Sequence, residues 1–320
     1  MLRLRITSPP DLTPPVLDVL TADPAVSELA VLRGASIRPD GDLVLACVAR
    51  EAANDVVDRL RELELPTYGS IHLEPVRTWI SEAGLAAQHL APGSGADSVV
   101  WADVTQQAYE DSETNWTFMS LLSLATLLAG IAIVLDSQIL VIGAMVIGPE
   151  FGAVAALGVA LVRRRGSLML AAVRTLTSGF AVAILVTTIA ALVGRALGWV
   201  TVGDVTAARP GTGFIYTPDR WSFLVALIAA SAGVLALTSA RVGALSGVFI
   251  SVTTIPAAAN IALGIAFGLG DEIRGSLLQL LINLSGMAVA GWLTLAVQQA
   301  VWARVSRYRA RLTARRRGGG

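Results

Sequence analysis

The sequence predicts an α-helical polytopic membrane protein, with six spans arranged as an inverted 3+3 repeat with broken helices, behind an N-terminal α+β domain. Of its 320 residues, 54% are hydrophobic and only 15% are charged, whereas a soluble domain carries about 25% charged residues. Apolar runs long enough to cross a bilayer recur after residue 115. One run contains a helix-breaking pair and a carboxylate, Gly148-Pro149-Glu150. Lipid offers no partner to a broken backbone or to a charge, so protein or water must surround this break.

The apolar region divides into six predicted spans and repeats once. The spans cover 116–135, 138–161, 168–194, 221–239, 243–267 and 275–302. A shift of 256 − 149 = 107 residues places Pro256 on Pro149 and carries the first three spans onto the last three within a few residues. Because each copy holds an odd number of spans, the second copy must be inverted relative to the first. The predicted repeats are 116–198 and 221–302, within a transmembrane domain at 116–302.

The arginine residues predict the orientation. Arg163–Arg165 join spans two and three, Arg241 joins spans four and five, and the Arg-rich tail at 303–320 carries seven arginines. By the positive-inside rule these segments face the cytoplasm, which places both termini there. The single cysteine, Cys47, agrees with a cytoplasmic N-terminal domain because it leaves no internal disulfide.

Residues 1–76 are predicted to form a small cytoplasmic α+β domain. Short apolar and alternating segments separated by turns follow the order β-α-β-β-α-β, which is that of the ferredoxin-like split βαβ unit. Residues 77–115 are predicted to form a linker with connecting helices. The ferredoxin-like fold hosts many functions, so the domain by itself specifies none.

Glu150 is the principal candidate for chemistry. It lies about 12 residues into the second predicted span, near the bilayer centre, where a charge costs at least about 2.5–3.5 kcal/mol. A carboxyl group at that depth can handle a proton or a cation. It can also act as a structural carboxylate that caps the half-helix beginning at the break. The two roles are compatible, and the sequence leaves both open.

The other candidates lie in span three and in the second copy. Arg174 in span three could pair with Glu150 or extend its guanidinium group to the lipid headgroups. The second copy offers hydroxyl and amide groups but no charge, and these could bind an ion or satisfy their own helix. The predicted substrate- or ion-binding residues are Gly148, Pro149, Glu150, Arg174, Thr253, Thr254, Pro256, Asn260 and Asn283.

Several classes of function are excluded by the composition. The single cysteine and two histidines, His72 and His89, all lie outside the apolar region, which excludes a membrane-embedded metal site that needs these ligands. The sequence holds no zinc-protease motif, serine–histidine arrangement or phosphate-binding loop. We therefore expect no enzymatic activity and no cofactor. The 24 basic and 24 acidic residues leave no net charge, and we expect no nucleic-acid partner.

The sequence around the break resembles that of a known family. The block at 142–149, with a small soluble domain before it and Arg163–Arg165 after it, resembles the bacterial membrane proteins catalogued as domain of unknown function 389. The resemblance covers essentially the whole chain and is most specific over residues 137–300. The family's usual block has Ser before the Pro and an apolar residue after it, where this chain has Gly148 and Glu150. The resemblance implies an integral inner-membrane protein with this six-span layout and no assigned activity.

Two classes of function remain. The first is a transporter or channel-like permeation protein for a small solute or ion, linked to a proton or cation through Glu150 and regulated by the cytoplasmic domain. The second is a membrane-anchored sensor or scaffold whose ferredoxin-like domain binds a small ligand. The repeat and the paired breaks favour the first class. The expected partners are the lipid bilayer, the permeating solute or ion, and further copies of the chain.

Overall fold

The computed structural model describes residues 1–91, 98–215, 220–239 and 253–317. The chain forms two compact units. The first contains residues 1–104 together with the chain from Gln298 onward, and the second contains most of the chain between them, 105–237 and 242–297.

The first unit contains a four-stranded antiparallel sheet. Its strands and helices are β1 (Leu2–Ser8), α1 (Thr13–Thr21), β2 (Val26–Ile37), β3 (Asp40–Val48), α2 (Ala53–Glu62), α3 (Leu65–Tyr68), β4 (Ser70–Pro75) and α4 (Glu82–Leu90). The strand order is β2-β3-β1-β4, and every neighbouring pair is antiparallel.

Alternation along β1 explains which face of this sheet forms the core. Leu2, Leu4 and Ile6 are buried, while Arg3 and Arg5 between them are exposed. A strand sends successive side chains to opposite faces, so one face packs and the other carries charge. The predicted strand and helix pattern for residues 1–76 therefore has a structural counterpart, and residues 92–97 of the predicted linker at 77–115 lie outside the described residues.

Helices make up the second unit. After α5 (Trp101–Asp111), which begins in the first unit, they are α6 (Trp116–Val134), α7 (Gln138–Ile147), α8 (Glu150–Arg163), α9 (Gly166–Ala196), α10 (Val202–Thr206), α11 (Arg220–Thr238), α12 (Thr254–Phe267) and α13 (Gly270–Arg317). Within the described chain, α6, α9 and the 270–304 part of α13 are long and apolar enough to cross a membrane, and α7 with α8 makes a fourth candidate. Helices α11 and α12 supply shorter apolar segments. These helices indicate a membrane protein.

The predicted break in the second span is confirmed. Helix α7 ends at Ile147, α8 begins at Glu150, and the two axes are bent by 56°. Proline lacks the N–H group that would continue the helix. The second predicted break corresponds to the start of α12 at Thr254, and the part of its span at 243–252 lies outside the described residues.

The first residues of the helices give the offset, in residues, between the two copies of the repeat. Helices α6, α8 and α9 begin at 116, 150 and 166, while α11, α12 and α13 begin at 220, 254 and 270, which is 104 residues later in each case. The ends of α11 and α12 are also displaced by 104 residues from those of α6 and α8. The structural offset therefore differs from the predicted 107 by three residues. Three residues are nearly one helical turn, so the apolar pattern matches almost equally well in either register.

Two further segments differ from the prediction. Helix α13 continues to Arg317, beyond the predicted end of its span at 302, because Ala, Leu and Arg favour a helix even in water. The link at 195–220 holds the short helix α10, which begins with a reciprocal capping box between Thr201 and Asp204. That link also carries a buried arginine, described below.

Candidate functional site

The break between α7 and α8 meets the start of α12 at Glu150. This carboxylate opens α8 and is only 2% exposed. Its Oε1 accepts a hydrogen bond of 2.8 Å from the hydroxyl of Thr254, the first residue of α12. The N-terminus of a helix carries a partial positive charge, so a carboxylate between two such ends is stabilised there. Pro256 lies in the first turn of α12, where its missing N–H leaves no partner unsatisfied.

Gly148 makes room for this carboxylate. A Cβ atom at position 148 would overlap Oε2 of Glu150 and Cδ1 of Ile255. Any larger residue before the proline would therefore displace either the carboxylate or the start of α12. Gly148 and Glu150 are thus physically linked. Glycine at one position permits the charge at the other.

A cluster of amide groups adjoins this junction. The hydroxyl oxygen of Thr253 accepts a hydrogen bond from Nδ2 of Asn283 and one of 3.4 Å from Nε2 of Gln279. Thr253 itself has a φ of 52°, a left-handed conformation that is costly for a β-branched residue, about 1–3 kcal/mol. Such strain persists only where the surroundings impose it, and it concentrates at functional positions.

An arginine that sequence reasoning missed closes the other end of the cluster. Arg209 lies in the link between α10 and α11, and its side chain is 4% exposed. Its Nη2 donates to both carboxylate oxygens of Glu272, at 2.7 and 2.8 Å, and its Nη1 donates to Oδ1 of Asn260 at 3.1 Å. Asn260 in turn donates to the hydroxyl of Ser276 at 2.8 Å. Hydrogen bonding of this kind offsets the desolvation of a buried ion pair.

The link that carries Arg209 is tied down by a second carboxylate. Oδ1 and Oδ2 of Asp136, between α6 and α7, accept hydrogen bonds from the hydroxyl of Thr212 and from the N–H of Gly211. Nε2 of Gln138 donates to the carbonyl of Gly211 at 2.9 Å. These contacts fix the backbone two to three residues after Arg209, so they help to hold the arginine in place.

Polar residues on one face of α13 connect the ion pair of Arg209 and Glu272 with the start of α12. Their spacing of four, three and four residues repeats once every helical turn, so all of them point toward α12. We call this set, with its two partners on α12, the polar track: Glu272, Ser276, Gln279 and Asn283 on α13, Asn260 and Thr253 on α12. From Glu272 to Asn283 it covers about 16 Å of helix, roughly half of the hydrocarbon thickness. Its members on α13 beyond Glu272, and Asn260, have no exposed surface.

The sequence predicted half of the polar track, namely Thr253, Asn260 and Asn283. Of the nine predicted residues, eight line the junction or the track, whereas Arg174 lies on an exposed face of α9. The arginine that the described contacts place in the cluster is Arg209. Glu272, Ser276 and Gln279 were missed, although the four-three-four polar spacing on an otherwise apolar helix was a visible signal. Arg209 gave no such signal, since it lies in an irregular link.

One carboxylate outside the predicted spans also touches α8. The side chain of Asp111 at the end of α5 packs against Gly152, where a Cβ atom would lie 2.7 Å from its Cγ. Burial raises the pKa of Asp111, a hydrogen bond from Gln107 opposes that rise, and the charge of Glu110 adds to it. A glycine in the first turn of α8 thus accommodates a second acidic residue.

Comparison with known proteins gives one match. The model of the family described as domain of unknown function (DUF389) matches residues 145–289. That segment begins just before the helix break and ends in α13 after Asn283, so it contains both the junction and the polar track. No curated protein and no solved structure matches the chain. The resemblance predicted from the block at 142–149 is confirmed, and the chain carries the domain of unknown function DUF389 across residues 145–289.

Proposed function

We propose that the second unit is a permeation protein, a transporter or a channel-like protein, that moves a small solute or ion across the cell membrane. In this proposal the polar track is the path, and Glu150 links permeation to a proton or a cation. The observation that carries the proposal is the buried track itself, which reaches Thr253 beside the contact between Glu150 and Thr254 at the starts of α8 and α12.

The energetics of burial support a path over a purely structural network. Each polar group in hydrocarbon costs free energy unless it is paired, and helices in lipid gain only about 0.6 kcal/mol on average from such pairs. Small residues pack membrane helices as well and carry no such cost. A continuous stripe of amides and hydroxyls beside a carboxylate therefore costs more free energy than small residues would if its only role were to hold the helices together. It provides the groups that replace water around a permeating solute or ion.

Reciprocal contacts support the six-span inverted repeat that this proposal assumes. With an offset of 104 residues, Glu150 is equivalent to Thr254, the residue to which it is hydrogen-bonded. The backbone of Gly158 on α8 closely approaches the backbone N–H of Trp292 on α13. The equivalent pair is Ala262 and Thr188, and the Thr188 hydroxyl donates to the Ala262 carbonyl at 3.4 Å.

Paired contacts of this kind are expected about a two-fold axis. An odd number of spans in each half places that axis in the membrane plane. We propose that it passes close to the contact between Glu150 and Thr254, which brings the two breaks to the bilayer midplane. By the arginine distribution, both termini then lie in the cytoplasm.

The N-terminal domain is proposed to regulate permeation. Its order β2-β3-β1-β4, with antiparallel neighbours and two helical connections, is the order expected for a ferredoxin-like sheet. The alternative function, a membrane-anchored sensor or scaffold with a ligand on this domain, predicts a membrane unit that passes nothing.

Flux through liposomes tests the proposal. The purified full-length chain is reconstituted into vesicles that contain a pH-sensitive dye, and proton, sodium, potassium and chloride gradients are imposed in turn. We expect flux above that of protein-free vesicles, and a loss of at least about tenfold in Glu150→Gln, which removes the charge and keeps the shape. The matched control is Glu113→Gln, an exposed carboxylate just before α6, which should leave the flux unchanged. Flux equal to that of empty vesicles under every gradient, or full flux in Glu150→Gln, would contradict the proposal and favour the scaffold.

A further inference from the structure

A short stretch of the link between α10 and α11 covers one end of the polar track. We call residues 206–213 the Arg209 segment. It lies between two residues whose apolar side chains are buried in the core, Val205 and Ile215. Within the segment itself the buried side chains are those of Arg209 and Thr212, and both are polar. The segment can therefore lift away without pulling an apolar side chain out of the core.

Hydrogen bonds and one ion pair hold the Arg209 segment in place. Arg209 donates to Glu272 and to Asn260, while the carboxylate of Asp136 accepts from the backbone N–H of Gly211 and the hydroxyl of Thr212. The Glu272 side chain is 18% exposed, so the ion pair lies at the edge of the unit. Water can replace such contacts when a segment opens, and local opening then costs much less free energy than unfolding.

The charge of Arg209 makes the covered end of the track impassable to a cation. A guanidinium group stays protonated at any physiological pH. That of Arg209 is hydrogen-bonded to Oδ1 of Asn260, whose Nδ2 donates to Ser276, the next residue of the track. An arginine held in a narrow path repels cations and protons electrostatically. Passage at this end therefore requires that the guanidinium group leave Asn260.

We propose that the Arg209 segment is a gate. In the closed form, which the structure describes, Arg209 covers Asn260 and Ser276, and Asp136 holds the segment through Gly211 and Thr212. In the open form the segment lifts between Val205 and Ile215, and water reaches the track. This inference rests on the proposed function and names the part of the membrane unit that regulates access to the path.

Thiol labelling of the full-length chain in lipid nanodiscs tests the gate. In a Cys47→Ser background, Ser276→Cys places a thiol in the track beneath Arg209. A small, charged thiol reagent reaches this position only when the segment is open, because the reaction needs water and a thiolate. Asp136→Asn keeps the shape of the side chain and removes its charge. Hydrogen bonds to a charged group are stronger than neutral ones, so the labelling rate should rise on the order of tenfold.

Asp204→Asn is the matched control. Asp204 belongs to the same link, and its carboxylate also accepts from a threonine hydroxyl, that of Thr201, at 2.7 Å. It caps α10, however, and lies outside the Arg209 segment. This variant should leave the labelling rate at position 276 unchanged.

Amide exchange gives a second measurement that keeps Ser276, should Ser276→Cys not fold. The N–H of Gly213 donates to the carbonyl of Arg209 at 2.8 Å, so it is protected while the segment is closed. Exchange of this amide with deuterium should also be on the order of tenfold faster in Asp136→Asn. It should be unchanged in Asp204→Asn.

The outcomes separate the gate from the proposed function. A labelling rate that is unchanged in Asp136→Asn, or that rises equally in Asp204→Asn, would overturn the gate. Flux that depends on Glu150 could survive that result. A rise confined to Asp136→Asn, in a chain that passes no ion, would support the opening of the segment and refute permeation.

Discussion

Helices α8 and α12 begin 104 residues apart, yet the chemistry of their first residues differs. The first half places a carboxylate at this point, Glu150, whereas the second half places the neutral Thr254. Polar side chains continue from Thr254 along the second half, on α12 and α13. The equivalents of Gln279 and Asn283 in the first half are Thr175 and Gly179. At these two helix starts, one half therefore contributes a carboxylate and the other contributes neutral hydrogen-bonding groups.

This comparison explains why both halves are needed for one site. A buried carboxylate is stable only with partners, and the hydroxyl of Thr254 in the opposite half is one of them. The similar backbone of the two halves brings the starts of α8 and α12 together. The sequence differences between the halves determine which side chains are in contact there. Substitutions that remove a single contact in one half therefore measure the contribution of that half to stability.

The largest effect is expected at Arg209, the only arginine that the described contacts place in the cluster. Arg209→Met leaves the largely buried carboxylate of Glu272 without its ion-pair partner, which costs about 3–5 kcal/mol. For a unit of this size Tm should fall by about 10 °C. The double variant Arg209→Met/Glu272→Leu should recover most of that loss. The control is Arg174→Met in the first half, which is exposed and should change Tm little.

Close packing between the halves gives the next effect. A Cβ atom on Gly158 would lie 2.9 Å from the backbone N of Trp292 and 3.0 Å from the carbonyl carbon of Gly291. Backbone atoms cannot move aside, so Gly158→Ala should destabilise by about 1–3 kcal/mol, although alanine favours the helix. Gly143→Ala on α7 is the control, since nothing lies within 4 Å of its new Cβ atom. A neutral Gly158→Ala would show that α8 and α13 are farther apart than described.

A double-mutant cycle tests the link between Gly148 and Glu150. Gly148→Ser should destabilise because its Cβ atom overlaps Oε2 of Glu150. In Glu150→Leu the charged oxygen is absent, and the same serine should cost less, with a coupling of about 1 kcal/mol. Additive effects in thermal unfolding would show that Gly148 and Glu150 act independently.

The smallest effect concerns Asp111, which packs against Gly152, where the second half has Pro256. Burial raises the folded-state pKa of Asp111 above its unfolded value, so the folded state favours the protonated carboxyl. Its stability is then greatest below the unfolded pKa and falls as pH rises through the folded pKa. Asp111→Asn should flatten this part of the Tm-versus-pH curve, and the exposed Glu113→Gln should not. An unchanged curve in Asp111→Asn would show that this carboxyl does not contribute.

The sequence predicted those features that follow from local chemistry. The Gly-Pro pair identified the break, and the apolar run of α6 was predicted at 116–135 against an observed Trp116–Val134. Glu150 stood out because a charge is rare within an apolar run. The repeat was recognised, but its register was displaced by three residues since one helical turn preserves the apolar pattern.

The remaining features depend on contacts between distant segments. Arg209 lies in an irregular link, and only folding brings it to Glu272, 63 residues later. The pairing of Thr254 with Glu150 spans 104 residues. Neither contact has a periodic signal, because periodicity reports on one helix and not on its neighbours.

Water access to the polar track tests the central claim most directly. The chain has one cysteine, Cys47, so Cys47→Ser provides a cysteine-free background. Asn283→Cys then places a thiol in the track, and Ser285→Cys places one on the exposed apolar side of the same helix, only two residues away. A small, charged thiol reagent needs water and a thiolate to react. The account predicts that Cys at 283 is modified in proteoliposomes and that Cys at 285 is not. Protection of the cysteine at 283, equal to that at 285, would show a dry structural network and would contradict permeation along the track.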